Sequence, residues 1–123
     1  MSIACGTDIV EIKRIEEAIE KFRETFFNKV FTDEEIKYCE SKGKMRFQHY
    51  AARFAAKEAI FKAISNFVDN KFSIGWKNME VTNDQNGRPQ IELLNCKIDN
   101  IKNIDISISH CKEYAVAMVV VEY

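Results

Sequence analysis

Residues 46 to 66 read as one long helix that has to be covered on two sides. At about 100° per residue, Phe47, Tyr50, Phe54, Phe61 and Ser65 fall within about 40° of one meridian. Ala52, Ala56, Ala59 and Ala63 form a second stripe on the opposite side, where side chains this small let another backbone approach closely. Such a helix is packed on both faces. Glu58 falls in the aromatic stripe. A carboxylate there costs several kcal/mol or takes up a proton unless a cation or hydrogen-bond donors meet it. Lys62, one turn on, is a candidate cation through an ordinary i,i+4 contact. The alternative is a metal-binding or catalytic role.

A chain of 123 residues suits a single domain, 1–123, with one core. Hydrophobic residues make up 46% and charged residues 30%, the balance of a soluble globular protein. With 18 basic and 19 acidic residues the net charge is -1. That gives no field for nucleic acid, so any polyanion site must be local. No apolar run approaches the ~20 residues that cross a bilayer, and the N-terminus lacks a secretory pattern, so a cytoplasmic protein without membrane association is expected. Cys5, Cys39, Cys96 and Cys111 form no Cys-x-x-Cys pair and are expected to be reduced, mostly small core residues.

Residues 2 to 10 are small and β-branched and predict a buried first strand, with Gly6 marking a close backbone approach. Asp8, near its end, is either a helix cap or a metal ligand. A first helix is expected over residues 11 to 22 and a turn over 28 to 31. Thr32 and Glu35 form a capping box for a second helix to about residue 41. Gly43 ends that helix, and the long one runs from about 44 to 66. After Asn70 the pattern alternates. Residues 76 to 82 and 90 to 94 flank an Asn86-Gly87 turn as a β-hairpin. Residues 95 to 103 are an unassigned polar connection. Ile104, Ile106 and Ile108 give a strand ending at His110, and residues 114 to 123 a closing strand that should lie centrally. The fold class is therefore α+β: an N-terminal strand, three helices with one long central helix, then a largely antiparallel sheet of four further strands. His110 shares the parity of the isoleucines, which suits a partly buried structural histidine; its place at a strand end beside Ser109 leaves room for function.

Four stretches together resemble holo-acyl-carrier-protein synthase, the short bacterial type of 4′-phosphopantetheinyl transferase. They are Gly6-Thr7-Asp8-Ile9-Val10-Glu11-Ile12-Lys13-Arg14-Ile15, Arg53-Phe54-Ala55-Ala56-Lys57-Glu58-Ala59, the turn from Asn83 to Pro89, and Ser107-Ile108-Ser109-His110. The resemblance spans nearly the whole chain. It implies transfer of the phosphopantetheine arm of coenzyme A to a serine of an acyl carrier protein, with 3′,5′-ADP as the other product, in fatty-acid biosynthesis. It implies that Asp8 and Glu58 hold Mg²⁺, a cation that takes few protein oxygens and keeps several waters. A further acid found in larger relatives is replaced by Val10, so two protein ligands are expected. Lys62 is placed to neutralise the same phosphate oxygens; Lys57 is less clearly placed.

The general base stays open between Glu58, through a bound water, and His110. The resemblance further implies that Arg53, Ser109 and His110 hold the nucleotide end of coenzyme A, with Gly87, Arg88 and Pro89 near its adenine. Acyl carrier proteins are acidic, and Arg14 and Lys21, with Arg23 beyond, are the candidate docking patch, diluted by glutamates between them. The short relatives are homotrimers with sites between subunits, which the alanine stripe makes plausible. Competing readings are a non-catalytic module that binds coenzyme A or a carrier protein, and a Mg²⁺-dependent pyrophosphate hydrolase. A role for Cys111 beside His110 is left open.

Overall fold

A computed structural model describes residues 1–65, 67–68, 74–95 and 98–123. The chain opens with β1 (Ile3–Glu11), followed by α1 (Ile12–Val30), α2 (Asp33–Glu40) and α3 (Arg46–Ile64). Then come β2 (Met79–Asn83), β3 (Pro89–Leu93), β4 (Asn103–His110) and β5 (Tyr114–Glu122). β1, β5 and β4 form one antiparallel sheet in that order, and β2 pairs with β3 as a separate antiparallel hairpin. This is the expected α+β fold, with β5, the Val119-Val120-Val121 strand, in the central position.

The two-sided helix explains the architecture. Ala56, Ala59 and Ala63 are fully buried, and they face β1 at very close range. A Cβ added to Gly6 would lie 2.0 Å from the carbonyl oxygen of Ala59 and 3.0 Å from the nitrogen of Ala63. Backbone approaches backbone there because glycine has no side chain and alanine only a methyl group to keep them apart. The alanine stripe is thus used up inside the chain and is not the surface on which copies would meet. On the other side of α3, Phe54 stacks on Trp76 at 5.1 Å and Phe61 meets the same indole edge-on at 5.2 Å. Both faces are covered, as the pattern requires.

Several expectations change. β1 is an edge strand rather than a buried one: Ala4 and Gly6 face α3, while Ile3, Cys5, Thr7 and Ile9 are exposed on the other face. The first helix does not stop at residue 22. Phe22 leaves helical geometry (φ −129°, ψ 34°), yet the chain resumes and continues to Val30, because Phe27 and Val30 still have a core to enter. α3 is preceded by a single 3₁₀ turn over Gly43–Met45, with Gly43 at φ +57°, so it starts later than the periodicity suggests. A 3₁₀ turn, Trp76–Asn78, likewise replaces the first residues of the predicted strand. Of the described cysteines only Cys39 is buried, where desolvation pushes its thiol up to about 12; Cys5 and Cys111 are exposed. Residue 66, taken above as the end of the long helix, lies outside the described residues, as do Asn70 and Cys96.

The predicted capping box is present and does more than cap. Thr32 N donates to Glu35 Oε1 at 2.9 Å and Glu35 N to Thr32 Oγ1 at 3.2 Å. The same Glu35 oxygen accepts from Lys57 Nζ at 2.6 Å, and Oε2 accepts from Val81 N at 2.8 Å. Lys57 Nζ also donates to the Val30 carbonyl at 2.7 Å. Both side chains of the ion pair are wholly buried. The uncertain lysine of the helical signature is therefore the pin that joins α1, α2, α3 and β2.

Candidate active site

Two clusters are carried by α3. The first lies where β1 crosses it. Asp8 faces α3, and its Oδ1 accepts from Lys62 Nζ at 3.1 Å; the same ammonium donates to the Thr7 carbonyl at 3.0 Å. The expected Glu58–Lys62 pairing is not what the lysine does: it is engaged by the strand instead. Glu58 is half-buried, and among the described residues no donor is hydrogen-bonded to it. Burial first, then the nearby charge of Asp8, push its carboxyl above the usual range, against a smaller opposing effect of Lys62. Two carboxylates from different elements are therefore held close enough to repel, one of them flanked along the helix by Phe54 and Phe61. Val10, two residues after Asp8, is partly buried and packs against the core.

The chemistry of this donor set suits a hard divalent cation, which would relieve the repulsion and complete its shell with water or phosphate oxygens. Among the described residues there is no cluster of three or more His, Cys, Asp or Glu side chains suited to a metal. Asp8 and Glu58 are the two carboxylates that come together here among the described residues.

The second cluster is a cleft of about 220 Å³ lined by Arg53, His110, Gly87 and Pro89 of the expected residues, and by Tyr38, His49 and Asn83, which the sequence reading did not single out. Arg53 is buried in its wall and donates to Asn83 Oδ1 at 2.8 Å. Asn83 Nδ2 in turn donates to the Gly87 carbonyl at 3.0 Å, tying the helix to the hairpin turn. That turn is shaped by Gly87 at φ +81° and by Asp84 Oδ1, which accepts from the backbone of Asn86 and Arg88. The signal for His49 was present: it stands four residues before Arg53, on the same helical face.

His110 is exposed at the rim, not partly buried as its parity suggested, because it is the last residue of β4. Ser109 points the other way, as strand alternation demands. With Ile9, Cys111, Tyr114 and Val116 it lines a separate cleft of about 290 Å³, which His110 also borders. Backbone N–H groups of Glu113 and Tyr114 lower the Cys111 thiol there. Arg88 lines a third cleft with Pro89, Asp105 and Ser107. So Arg53, His110, Gly87 and Pro89 come together, and Ser109 and Arg88 do not join them there.

The two clusters are distinct places. Asp8 and His110 lie two strands and two residues apart in register, about 12 Å between Cα atoms. Arg14 and Lys21 are exposed on α1 ahead of the kink, with Lys21 Nζ 5.2 Å from the Phe22 ring centre. Arg23 is engaged elsewhere, at 3.5 Å from Glu40 and over the Phe27 ring.

Comparison with known proteins places the chain in a family. The family model described as the 4′-phosphopantetheinyl transferase superfamily matches residues 4–119. A holo-[acyl-carrier-protein] synthase of Geobacter sp. (strain M21) is 42% identical over 127 residues, covering 99% of each chain. Among solved structures, the Helicobacter pylori holo-[acyl-carrier-protein] synthase in complex with coenzyme A superposes with a TM-score of 0.83 at 32% identity, over 96% of this chain and 99% of that one. The Bacillus anthracis synthase in complex with CoA (3′,5′-ADP) gives 0.79 at 34% identity, over 97% and 95%. With matching motifs, fold and full-length similarity, the chain belongs to the holo-[acyl-carrier-protein] synthases of the 4′-phosphopantetheinyl transferase superfamily.

Proposed function

We propose that this chain moves the 4′-phosphopantetheine group of coenzyme A onto a serine of an apo-acyl carrier protein and releases 3′,5′-ADP. The observation that carries the reading is the convergence of Asp8, Glu58 and Lys62 from β1 and α3, on the same helix that presents Arg53 to a basic, aromatic cleft. The Bacillus anthracis and Helicobacter pylori relatives bind coenzyme A, and we assign its nucleotide end to the cleft that holds Arg53 and His110.

The serine hydroxyl attacks the β-phosphorus; a new P–O bond forms as the bond to the α-phosphate oxygen breaks, and 3′,5′-ADP leaves with that electron pair. Asp8 and Glu58 would hold Mg²⁺, which supplies positive charge to the pyrophosphate and its leaving oxygen. Lys62 orients Asp8 and adds its own charge beside those oxygens. Glu58 takes the serine proton. It does so through a bound water, and the distance across the sheet leaves His110 at the nucleotide end.

Arg14 and Lys21 receive the acidic carrier protein, and the reaction runs in the cytoplasm. No helix among the described residues is long and apolar enough to cross a membrane.

Intact-mass measurement of an apo-carrier protein incubated with coenzyme A tests the reading. The expected result is a gain of one phosphopantetheine that disappears with EDTA and returns with Mg²⁺. No gain in mass, with coenzyme A still bound, would leave a binding module; release of 3′,5′-ADP without an acceptor would mean a hydrolase.

The homotrimer belongs to the same proposal, on different grounds from the alanine stripe. The outer face of the sheet exposes Ile3, Ile9, Tyr114, Val116 and Met118, a contiguous apolar surface suited to burial against other copies. Sedimentation equilibrium should give three times the 14.3 kDa chain mass, and Met118→Glu should lower it; a wild-type mass of one chain removes the trimer from the proposal.

A further inference from the structure

The β2–β3 hairpin joins no larger sheet: among the described residues β1, β5 and β4 pair with one another, and β2 pairs with β3 alone. The ladder alternates so that the Val81 N–H points away from β3, on the outer edge of β2. In place of a strand, the cap of α2 meets that edge. Glu35 Oε2 accepts from Val81 N at 2.8 Å, and one residue earlier Glu80 Oε2 accepts from Thr32 Oγ1 at 2.6 Å. Two residues beyond Val81, Asn83 accepts from Arg53 and donates to the Gly87 carbonyl. Within four residues, β2 is therefore tied to α2, to α3 and to its own turn.

The cap does not need the Thr32–Glu80 contact, since the reciprocal bonds between Thr32 and Glu35 are complete without it. Nor does Glu80 suit the hairpin by itself. It stands directly across from Glu92, and like charges in opposite positions destabilise a strand pair. A half-buried carboxylate is kept here at a local cost, and its short, charge-assisted hydrogen bond goes to another element. Placement of the hairpin is what that bond achieves.

We propose that Thr32 and Glu80 are positioning residues for coenzyme A: their hydrogen bond fixes where the hairpin lies against α2 and α3, and Asn83 and Gly87 carry that placement to the cleft that holds Arg53. This rests on reading that cleft as the nucleotide end of the coenzyme A site, and it adds what sets the hairpin wall. Asp8, Glu58 and Lys62 stand on β1 and α3, which this hydrogen bond does not touch. The effect should therefore fall on coenzyme A binding and spare the chemical step.

The test compares the wild-type chain with Glu80→Val and Glu80→Gln. Valine suits a strand and removes the acceptor; glutamine loses the same charge but keeps an oxygen that accepts from Thr32. In Glu80→Val the amides of residues 79–94 should exchange with deuterium about tenfold faster, the loss of one charge-assisted hydrogen bond, while those of β1, α3 and β5 keep their rates. The KM for coenzyme A should rise about fivefold or more, because small displacements of a positioning element are felt steeply, with kcat for transfer within about twofold of the wild type. Glu80→Gln should recover most of both effects. Equal loss in the glutamine variant, unchanged hairpin exchange, or a lower kcat at unchanged KM overturns the assignment while the wider reading stands. Faster exchange with an unchanged KM does the same. A wild-type chain that binds no coenzyme A overturns the reading of the cleft itself, and this inference with it. Should Glu80→Val not fold, Glu80→Thr, whose hydroxyl is too short to reach Thr32, replaces it under the same criteria.

Discussion

Glu58→Ala should remove phosphopantetheine transfer while the thermal midpoint stays the same or rises. Loss of a general base alone costs roughly 10²–10⁴-fold in rate, and loss of half the carboxylate pair adds to it. Stability should not suffer, because the structure gives this carboxylate no hydrogen-bonded donor among the described residues, and Lys62 is held by Asp8 and Thr7 instead. A carboxyl whose proton affinity is raised on folding destabilises the folded state at any pH where it is ionised, and that penalty fades as the pH falls and it protonates. Any gain from Glu58→Ala should therefore be largest near neutral pH and vanish below the ordinary carboxylate range. Transfer assays by intact mass, with melts at pH 7.5 and pH 4, check both halves. A variant that mainly unfolds at neutral pH would show that Glu58 is a structural residue.

The opposite behaviour is expected one residue earlier. Lys57→Met should destabilise the fold by about 3–5 kcal/mol, since removing one partner of a buried ion pair leaves the other charge uncompensated. Glu35 would keep the N–H groups of Thr32 and Val81 but lose the cation it is paired with, and the Val30 carbonyl would lose the Lys57 donor. For a chain of this size that is a fall of roughly 10–20 °C in melting temperature. Pairing it with Glu35→Gln should recover part of the loss, because the amide oxygen can still accept while no buried charge remains. If Lys57→Met melts within a few degrees of the wild type, the pin does not hold the elements together. Neighbouring positions of one signature should thus separate in these two experiments, Glu58 by lost transfer and Lys57 by lost stability.

The parts of the molecule legible in the sequence are those set by periodicity and local chemistry. The stripes of α3 announce a helix packed on two sides, Thr32 and Glu35 announce a cap, and Asn86-Gly87 announces the hairpin. Long-range pairing was hidden. Lys57 reads as polar at its position, and only the fold brings Glu35, 22 residues away, to within 2.6 Å of it. The choice of Lys62 between Glu58 and Asp8 is of the same kind: the helical spacing offers one partner and the strand, 54 residues distant, supplies the other. The extension of α1 beyond Phe22 was missed because a non-helical residue inside a helix leaves no mark when the core on either side remains available. Tyr38 and His49 were passed over because each looks ordinary on its own helix, and their meaning depends on Arg53 and His110 lying opposite.

Both halves of the site hang on a single rigid rod. Glu58 follows Arg53 by five residues, so the carboxylate cluster and the Arg53 cleft are offset along α3 by about 7.5 Å and turned by about 140°. The Gly6–Ala59 approach clamps that rod on one side and the Lys57–Glu35 pin on another. The helix is consequently a gauge of length: a ligand whose charged groups are spaced differently can engage one end or the other, but not both. An inserted residue between Arg53 and Glu58 would swing the ends apart by about 100°, a change that no rotamer could take back.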